Sequence, residues 1–219
     1  MKKVYICGDS FSTQDPEYGP CWVDMLEDRL AGQTHVVSLG SVSASNLLVS
    51  LQVKRAIEQK ADFVIFHATT VTRGEVAVDD QTHGDLLDRF QQHHLISFSI
   101  FRPYRSVLDK SQQQQIENFY GSYFDLDLAI HRDQCIIESC LYRLVNSGTA
   151  FLFDQGGFEH VKFTKSKQNY FQLWNQYRSA VNLWDYADTV NERPHFHIQD
   201  QHIHQEVADY YFTEIKKTL

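Results

Sequence analysis

A serine that follows a short apolar run is the first residue in this chain that could do chemistry. Residues 4–13 read VYICGDSFST, so Ser10 comes directly after Gly8 and Asp9, where a strand-like stretch ends. A serine hydroxyl attacks efficiently only when a base takes its proton, and that base needs a group that orients it. A Gly-Asp-Ser turn is also ordinary turn chemistry, so a catalytic Ser10 requires partners elsewhere in the chain.

An imidazole and a carboxylate stand two residues apart near the C-terminus. His202 follows Asp200 in the stretch RPHFHIQDQHIHQEVADYYFTEI, just before a helical run. A carboxylate beside an imidazole on one loop can fix its tautomer and stabilise the imidazolium that forms when a serine gives up its proton. His202 and Asp200 are therefore candidates for the base and its orienting acid. His195, His197 and His204 surround the pair, and with eleven histidines in the chain some adjacency is expected by chance.

The same histidines leave a metal-dependent enzyme open as an alternative. His195-x-His197 and His202-x-His204 place pairs of imidazoles on one side of an extended chain, as some metal sites do. No cysteine or glutamate stands at convincing ligand spacing, and none of the four cysteines forms a C-x-x-C pair. The chain also lacks a P-loop, a G-x-G-x-x-G, an H-E-x-x-H and a G-x-S-x-G motif. We therefore expect no metal and no cofactor.

The segments that must position these residues alternate between two periodicities. Short apolar runs bounded by Gly, Ser, Thr or Asp are typical of buried strands, and they lie at 3–7, 35–39, 62–67 and 149–153. Apolar residues at helical spacing fill the intervals, at 22–30, 47–57 and 116–144, and again at 170–188. Strands that alternate with helices imply right-handed crossovers and a parallel sheet covered on both faces. The pattern predicts an α/β fold, a three-layer α/β/α sandwich.

Three loops are expected to meet at the carboxyl edge of this sheet, where open parallel sheets bind their ligands. They follow the first three strands, at 8–10, 38–46 and 67–73. Residues 74–108 fit the alternation worst, because they mix acidic and His-rich stretches with the apolar run LISFSIF. We interpret them as an insertion or lid beside this edge, a common place for a substrate wall, or as a merely decorative insertion.

Length and charge narrow the class of protein. A chain of 219 residues can bury one sizeable core without disulfides, so a single domain over 1–219 is the default expectation. The formal net charge of -8 argues against a nucleic-acid partner. No signal-like apolar segment follows Met1, and 18 consecutive apolar residues occur nowhere, which predicts no membrane contact and makes the cytoplasm the simplest location.

Taken together, the motifs resemble one enzyme family from the first strand to the last helix. GDSFS at 8–12 is similar to the first block of the SGNH hydrolases, the GDSL esterase/lipase family, and DQHIHQEVADYY at 200–211 resembles the last block. VVSLGSVSASN at 36–46 resembles the second block. ADFVIFHATTVTRGE at 61–75 resembles the third strand of a subset in which T-x-x-x-R-x-E replaces the usual G-x-N-D.

The resemblance implies a flavodoxin-like, mostly parallel sheet and assigns roles to five residues. Ser10 would be the nucleophile, His202 the base and Asp200 its orienting acid. Backbone N–H groups of Ser10 and Ser43, with the hydroxyl of Thr69, would form the oxyanion hole. Here the sequence departs from the family, which has glycine at the position of Ser43 and asparagine at that of Thr69. Losing one oxyanion donor typically costs on the order of 100- to 1000-fold in rate.

Three further polar residues are candidates for binding the substrate. Asn46 ends the second block, and Arg73 and Glu75 come just after the third strand. Arg73 and Glu75 could bind a charged or hydroxylated substrate. The alternative is a salt-bridged pair that holds the insertion in place.

These observations favour a serine esterase that acts on a small ester, for example an O-acetyl group on a sugar or another metabolite, through an acyl-enzyme. Its expected partner is a small-molecule or carbohydrate ester, and the oligomeric state leaves no mark in the pattern. One alternative is an acyltransferase. Another is a binding or structural module on the same fold that has lost efficient catalysis, which the changes at Ser43 and Thr69 motivate.

Overall fold

The computed structural model describes residues 1–13, 20–41, 44–77, 95–99, 109–156, 176–177 and 201–219. At 76–77, 95–99 and 201–203 it describes the backbone alone. The strands are β1 Lys2–Cys7, β2 Thr34–Ser38, β3 Phe63–His67, β4 Arg73–Ala77, β5 Leu95–Ser99 and β6 Ala150–Asp154. The helices are α1 Trp22–Leu30, α2 Asn46–Glu58, α3 Lys110–Asn118, α4 Leu126–Ser147 and α5 Gln201–Thr218.

Four of these strands form a parallel sheet in the order β2-β1-β3-β6. The register places Tyr5 beside Val37 on one side and Val64 on the other, and Val64 beside Phe151. Each strand predicted from the sequence is confirmed to within one residue at either end. Because all four strands run the same way, their carboxyl ends share one edge of the sheet.

Helices cover both faces of the sheet, and the sheet residues alternate between them. Val4 and Ile6 face the core beneath α1 and α5, whereas Tyr5 and Cys7 face the core beneath α2 and α4. Successive strand side chains point to opposite faces, so a strand that is buried on both sides is apolar throughout. The predicted three-layer α/β/α sandwich is confirmed.

The long apolar pattern at 116–144 forms two helices with a break between them, which the periodicity did not predict. Helix α3 passes into a π-helical turn, Phe119–Tyr123, before α4 begins at Leu126. The Asp125 carboxylate accepts a hydrogen bond from the N–H of Leu128, so this residue caps a new helix start within an apolar run. Helix α4 ends at Gly148, whose φ of 69° lies in the left-handed region.

The span interpreted as an insertion contains a second, two-stranded sheet. Strands β4 and β5 pair antiparallel, with Glu75 opposite Ser97. The remainder of the insertion, 78–94 and 100–108, lies outside the described residues, as does most of the helix predicted at 170–188. Among the helices that the structure describes, none combines the length and apolarity needed to cross a membrane.

Two leucines of α4 test the assignment of its buried face. Leu141 is 0% exposed and Leu128 is 65% exposed. Leu141→Ala is expected to lower the free energy of unfolding by about 2–5 kcal/mol, because it leaves a cavity in the core. Leu128→Ala should change the free energy by less than about 0.5 kcal/mol. Equilibrium urea unfolding measures both, and equal losses would contradict the packing described here.

Candidate active site

The turn that carries Ser10 begins where β1 ends. Residues Ser10–Ser12 form a single 3-10 turn, in which the N–H of Ser12 donates to the Asp9 carbonyl at 3.0 Å. The Asp9 carboxylate caps this turn by accepting from the N–H of Phe11 at 3.1 Å. Asp9 therefore organises the turn, as a short acidic side chain commonly does.

The residue before the turn is clamped by a buried glutamine. The Gln52 side chain accepts from the N–H of Gly8 at 2.7 Å and donates to the Gly8 carbonyl at 3.1 Å. A Cβ on residue 8 would overlap the Ser12 hydroxyl, so glycine is needed here for close approach. Sequence reasoning missed Gln52, which stands among the apolar residues of α2 with nothing to show that it turns inward.

The hydroxyl of Ser10 stands apart from the polar groups around it. Ser10 is 8% exposed, and its buried Oγ has no hydrogen-bond partner among the residues that the structure describes. A buried hydroxyl left unpaired costs about 1–3 kcal/mol, so native structures seldom retain one without a functional reason. This is the property expected of a group that must meet a substrate.

A buried ion pair holds Asp9 from the opposite side. The guanidinium of Arg73 donates to the carboxylate of Asp9 at 2.9 Å and to the carbonyl of Ala44 at 2.7 Å. Both charged side chains are buried, so each compensates a charge that would otherwise be costly to remove from water. Through these contacts β4 is attached to both the Ser10 turn and the loop that leads into α2.

Thr69 also binds Asp9. Its hydroxyl donates to the Asp9 carboxylate at 2.8 Å. A threonine hydroxyl carries a single proton, so it can donate to an oxyanion only after rotating away from Asp9. The oxyanion role of Thr69 therefore stays a prediction, and it requires breaking the hydrogen bond from Thr69 to Asp9.

Asn46 is buried, and both ends of its side-chain amide are bonded within the protein. Its Nδ2 donates to the Thr69 carbonyl and to Asp133, each at 2.8 Å, and its Oδ1 accepts from the Thr69 N–H at 2.8 Å. With these contacts Asn46 fixes the backbone of Thr69. The described contacts of both Asn46 and Arg73 are internal, whereas the sequence hypothesis had assigned these two residues to substrate binding.

Glu75 is half-buried, and its carboxylate oxygen Oε1 is buried. Its Oε1 has no hydrogen-bond partner in the described part of the chain. Burial raises the pKa of Glu75, which a hydrogen bond from Ser45 and the nearby Arg132 guanidinium partly offset. Arg132 also donates to Asp133 at 2.7 Å and to the carbonyl of Arg73 at 3.1 Å. Sequence reasoning missed Arg132 and Asp133, because adjacent charges on a long helix are typical of a solvated face.

A second buried polar group lies on the other side of the turn. His67, the last residue of β3, is 2.5 Å from the Ser12 hydroxyl through Nδ1 and 2.6 Å from the Tyr211 hydroxyl through Nε2. Tyr211 in turn donates to the Asp154 carboxylate at 3.3 Å. The Asp154 carboxylate also accepts from the N–H of Gly156 at 2.8 Å. Four segments of the chain therefore meet beneath the turn.

Comparison with known proteins links this chain to others by its fold. No protein-family model matches the sequence, and no curated protein matches it. The crystal structure of TesA is similar over 100% of both chains, with a TM-score of 0.51 and 12% identity. The psychrotrophic esterase EstA from Pseudoalteromonas sp. is similar over 99% of this chain and 98% of its own, with a TM-score of 0.52 and 12% identity. These likenesses show a shared fold.

The structure brings five of the predicted site residues to one edge of the sheet, namely Ser10, Asn46, Thr69, Arg73 and Glu75. Ser43 and Asp200 lie outside the described residues. His202 lies in the first turn of α5, where only the backbone is described. The pairing of Ser10 with His202 and Asp200 therefore stays a prediction.

The raised pKa of Glu75 predicts a pH-dependent effect on stability. A carboxyl whose pKa is higher in the folded state favours folding while it is protonated, and that contribution is lost as pH rises above the unfolded value of about 4.3. Glu75→Gln, which cannot ionise, should therefore stabilise the protein more at pH 7.5 than at pH 4.

Urea unfolding at the two pH values measures this difference. Glu58→Gln serves as the matched control, because the Glu58 side chain is 57% exposed and pairs with Lys54 on the surface. An effect of Glu75→Gln that is the same at both pH values would show that burial does not disfavour the Glu75 carboxylate.

Proposed function

We propose that this protein is a serine ester hydrolase of the SGNH type, with Ser10 as its nucleophile. The observation that carries the proposal is the buried hydroxyl of Ser10, which follows β1 and has no hydrogen-bond partner within the described part of the chain. In the same turn, by contrast, the side-chain oxygens of Asp9 and Ser12 are hydrogen-bonded within the protein. The fold that the chain shares with the esterase EstA supports the same class of reaction.

In the proposed mechanism, the Ser10 oxygen attacks the ester carbonyl while His202 takes the hydroxyl proton. Asp200 orients the imidazole and stabilises its positive form. The tetrahedral intermediate expels the alcohol, which receives the proton from His202, and leaves an acyl group on Ser10. A water molecule then gives a proton to His202 and attacks the acyl-enzyme. The second tetrahedral intermediate expels the Ser10 oxygen, which takes that proton from His202, and the acid is released.

The negative oxygen of each tetrahedral intermediate would be stabilised by hydrogen-bond donors at the loop ends. We assign this role to the backbone N–H groups of Ser10 and Ser43 and to the hydroxyl of Thr69. Because the Thr69 hydroxyl now binds Asp9, it would join the hole only as charge develops on the substrate. Arg73 would continue to neutralise Asp9 during that rotation.

The alcohol part of the substrate is proposed to carry hydroxyl groups, as in an O-acetylated sugar or metabolite. Glu75 supports this choice, because its buried Oε1 has no hydrogen-bond partner among the described residues and a substrate hydroxyl would supply one. Arg132 is close enough to influence the charge of Glu75, which favours a neutral or mildly polar ligand over a strongly cationic one. The acyl part is proposed to be small.

A second candidate is a binding module that retains the fold without efficient catalysis. The observation that favours it is the engagement of Thr69, whose single hydroxyl proton is directed at Asp9. Such a module would bind the hydroxylated ligand through Glu75 and leave an ester intact. Turnover that depends on Ser10 separates the two candidates.

Two serines of one turn provide a matched test of the nucleophile. Ser10→Ala is expected to lower the turnover of p-nitrophenyl acetate by on the order of 10⁴- to 10⁶-fold, because no nucleophile remains. Ser12→Ala removes a hydroxyl from the same turn and should cost at most about 100-fold. Unchanged turnover in Ser10→Ala would contradict the mechanism, and loss confined to Ser12→Ala would transfer the role to Ser12.

A further inference from the structure

Ser12, His67, Tyr211 and Asp154 form a hydrogen-bonded chain that the proposed mechanism does not use. The first contact measures 2.5 Å, the second 2.6 Å and the third 3.3 Å. All four side chains are buried. A fully bonded polar chain in a protein interior fixes the relative positions of the segments that supply its members.

The protonation of these four side chains sets the direction of each hydrogen bond between them. Burial lowers the pKa of His67, so its ring is neutral at physiological pH and carries one N–H. Tyr211 donates its proton to Asp154 and so accepts from Nε2 of His67. The other nitrogen, Nδ1, then accepts from the Ser12 hydroxyl. The protons of Ser12, His67 and Tyr211 thus each have one acceptor, in the order from Ser12 to Asp154.

A serine beside a histidine suggests a nucleophile, but the position of Ser12 argues against this role. Ser12 is 0% exposed, and Gly8 packs so closely that a Cβ there would overlap its hydroxyl. His67 and Asp154 are equally inaccessible, so no substrate carbonyl could reach the pair. The four hydrogen-bonded side chains therefore support the structure around the site and make no contact with a substrate.

Two adjacent residues of the Ser10 turn are joined to one face of the last helix. Ser12 reaches Tyr211 through His67. Phe11 reaches His204 through Trp22, whose ring N–H donates to the Phe11 carbonyl at 2.6 Å and whose backbone N–H donates to His204 at 3.2 Å. Positions 204 and 211 are two helical turns apart and lie on the same side of α5.

The same helix carries His202 in its first turn. From 202 to 211 the helix rises roughly 13.5 Å, and Val207, Ala208, Tyr211 and Ile215 pack it against α1 and the sheet. The two links therefore tie the position of His202 to the turn that holds Ser10. A displacement of about 1 Å between catalytic groups can cost on the order of 100-fold in rate.

We propose that the Ser12–His67–Tyr211–Asp154 chain is a positioning device that sets the separation between the Ser10 turn and the helix carrying His202. The inference rests on the proposed function, because it gives the chain a role only if Ser10 and His202 act together. Its four members are positioning residues and touch neither the substrate nor the reacting atoms.

Tyr211→Phe tests the device, because it removes two hydrogen bonds and keeps the ring that packs against Trp22 with a centroid distance of 4.8 Å. We expect kcat for p-nitrophenyl acetate to fall about 10- to 100-fold while KM changes less than about twofold. Ser12→Ala breaks the chain at its other end and should lower kcat to a similar extent. The double variant should lose about as much as the larger single loss, since both changes break one chain.

Ile215→Val is the matched control for a loss of stability. Ile215 is buried on the same helix, outside the chain, and its variant should lower the unfolding midpoint without changing kcat. The positioning role would be overturned if Tyr211→Phe had the kcat of the unmodified protein. It would also be overturned if Tyr211→Phe and Ser12→Ala lowered kcat only as much as Ile215→Val. Ser10→Ala in the same assay tests the proposed function separately, because turnover that survives it would refute the nucleophile whatever Tyr211→Phe does.

Discussion

The buried charge of Asp9 is the constraint around which this edge of the sheet is arranged. A carboxylate removed from water must be neutralised and hydrogen-bonded, and three groups from three segments do so here: the Phe11 N–H, the Thr69 hydroxyl and the Arg73 guanidinium. Arg73 also donates to the carbonyl of Ala44 in the loop before α2. Compensating one charge thus brings together the Ser10 turn, the loop after β3 and strand β4.

The polar residues around Ser10 divide into two groups with different tasks. On the side of β4, the Asp9 group extends through the Thr69 hydroxyl and the Thr69 backbone to Asn46, which also donates to Asp133. On the side of α5, the His67 group joins the turn to the last helix. Ser10 lies in the turn that both groups hold, and neither group binds its hydroxyl.

The strands and the location of the site could be predicted from the sequence, because a strand buried on both faces must be apolar throughout and parallel strands end at one edge. The inward turn of Gln52 and the pairing of Arg132 with Asp133 could not, since polar residues on a helix are usually solvated and only tertiary packing buries Gln52 and Asp133. The start of α4 at Leu126 was missed because its capping aspartate interrupts an apolar pattern that continues on both sides.

Covalent labelling with a fluorophosphonate tests most directly the claim that Ser10 is an activated nucleophile. Such a reagent reacts with a serine only when a base withdraws its proton and an oxyanion site receives the phosphoryl oxygen. Peptide mapping by mass spectrometry is expected to place one adduct on Ser10. An unlabelled protein, or an adduct on Ser12 alone, would contradict the account.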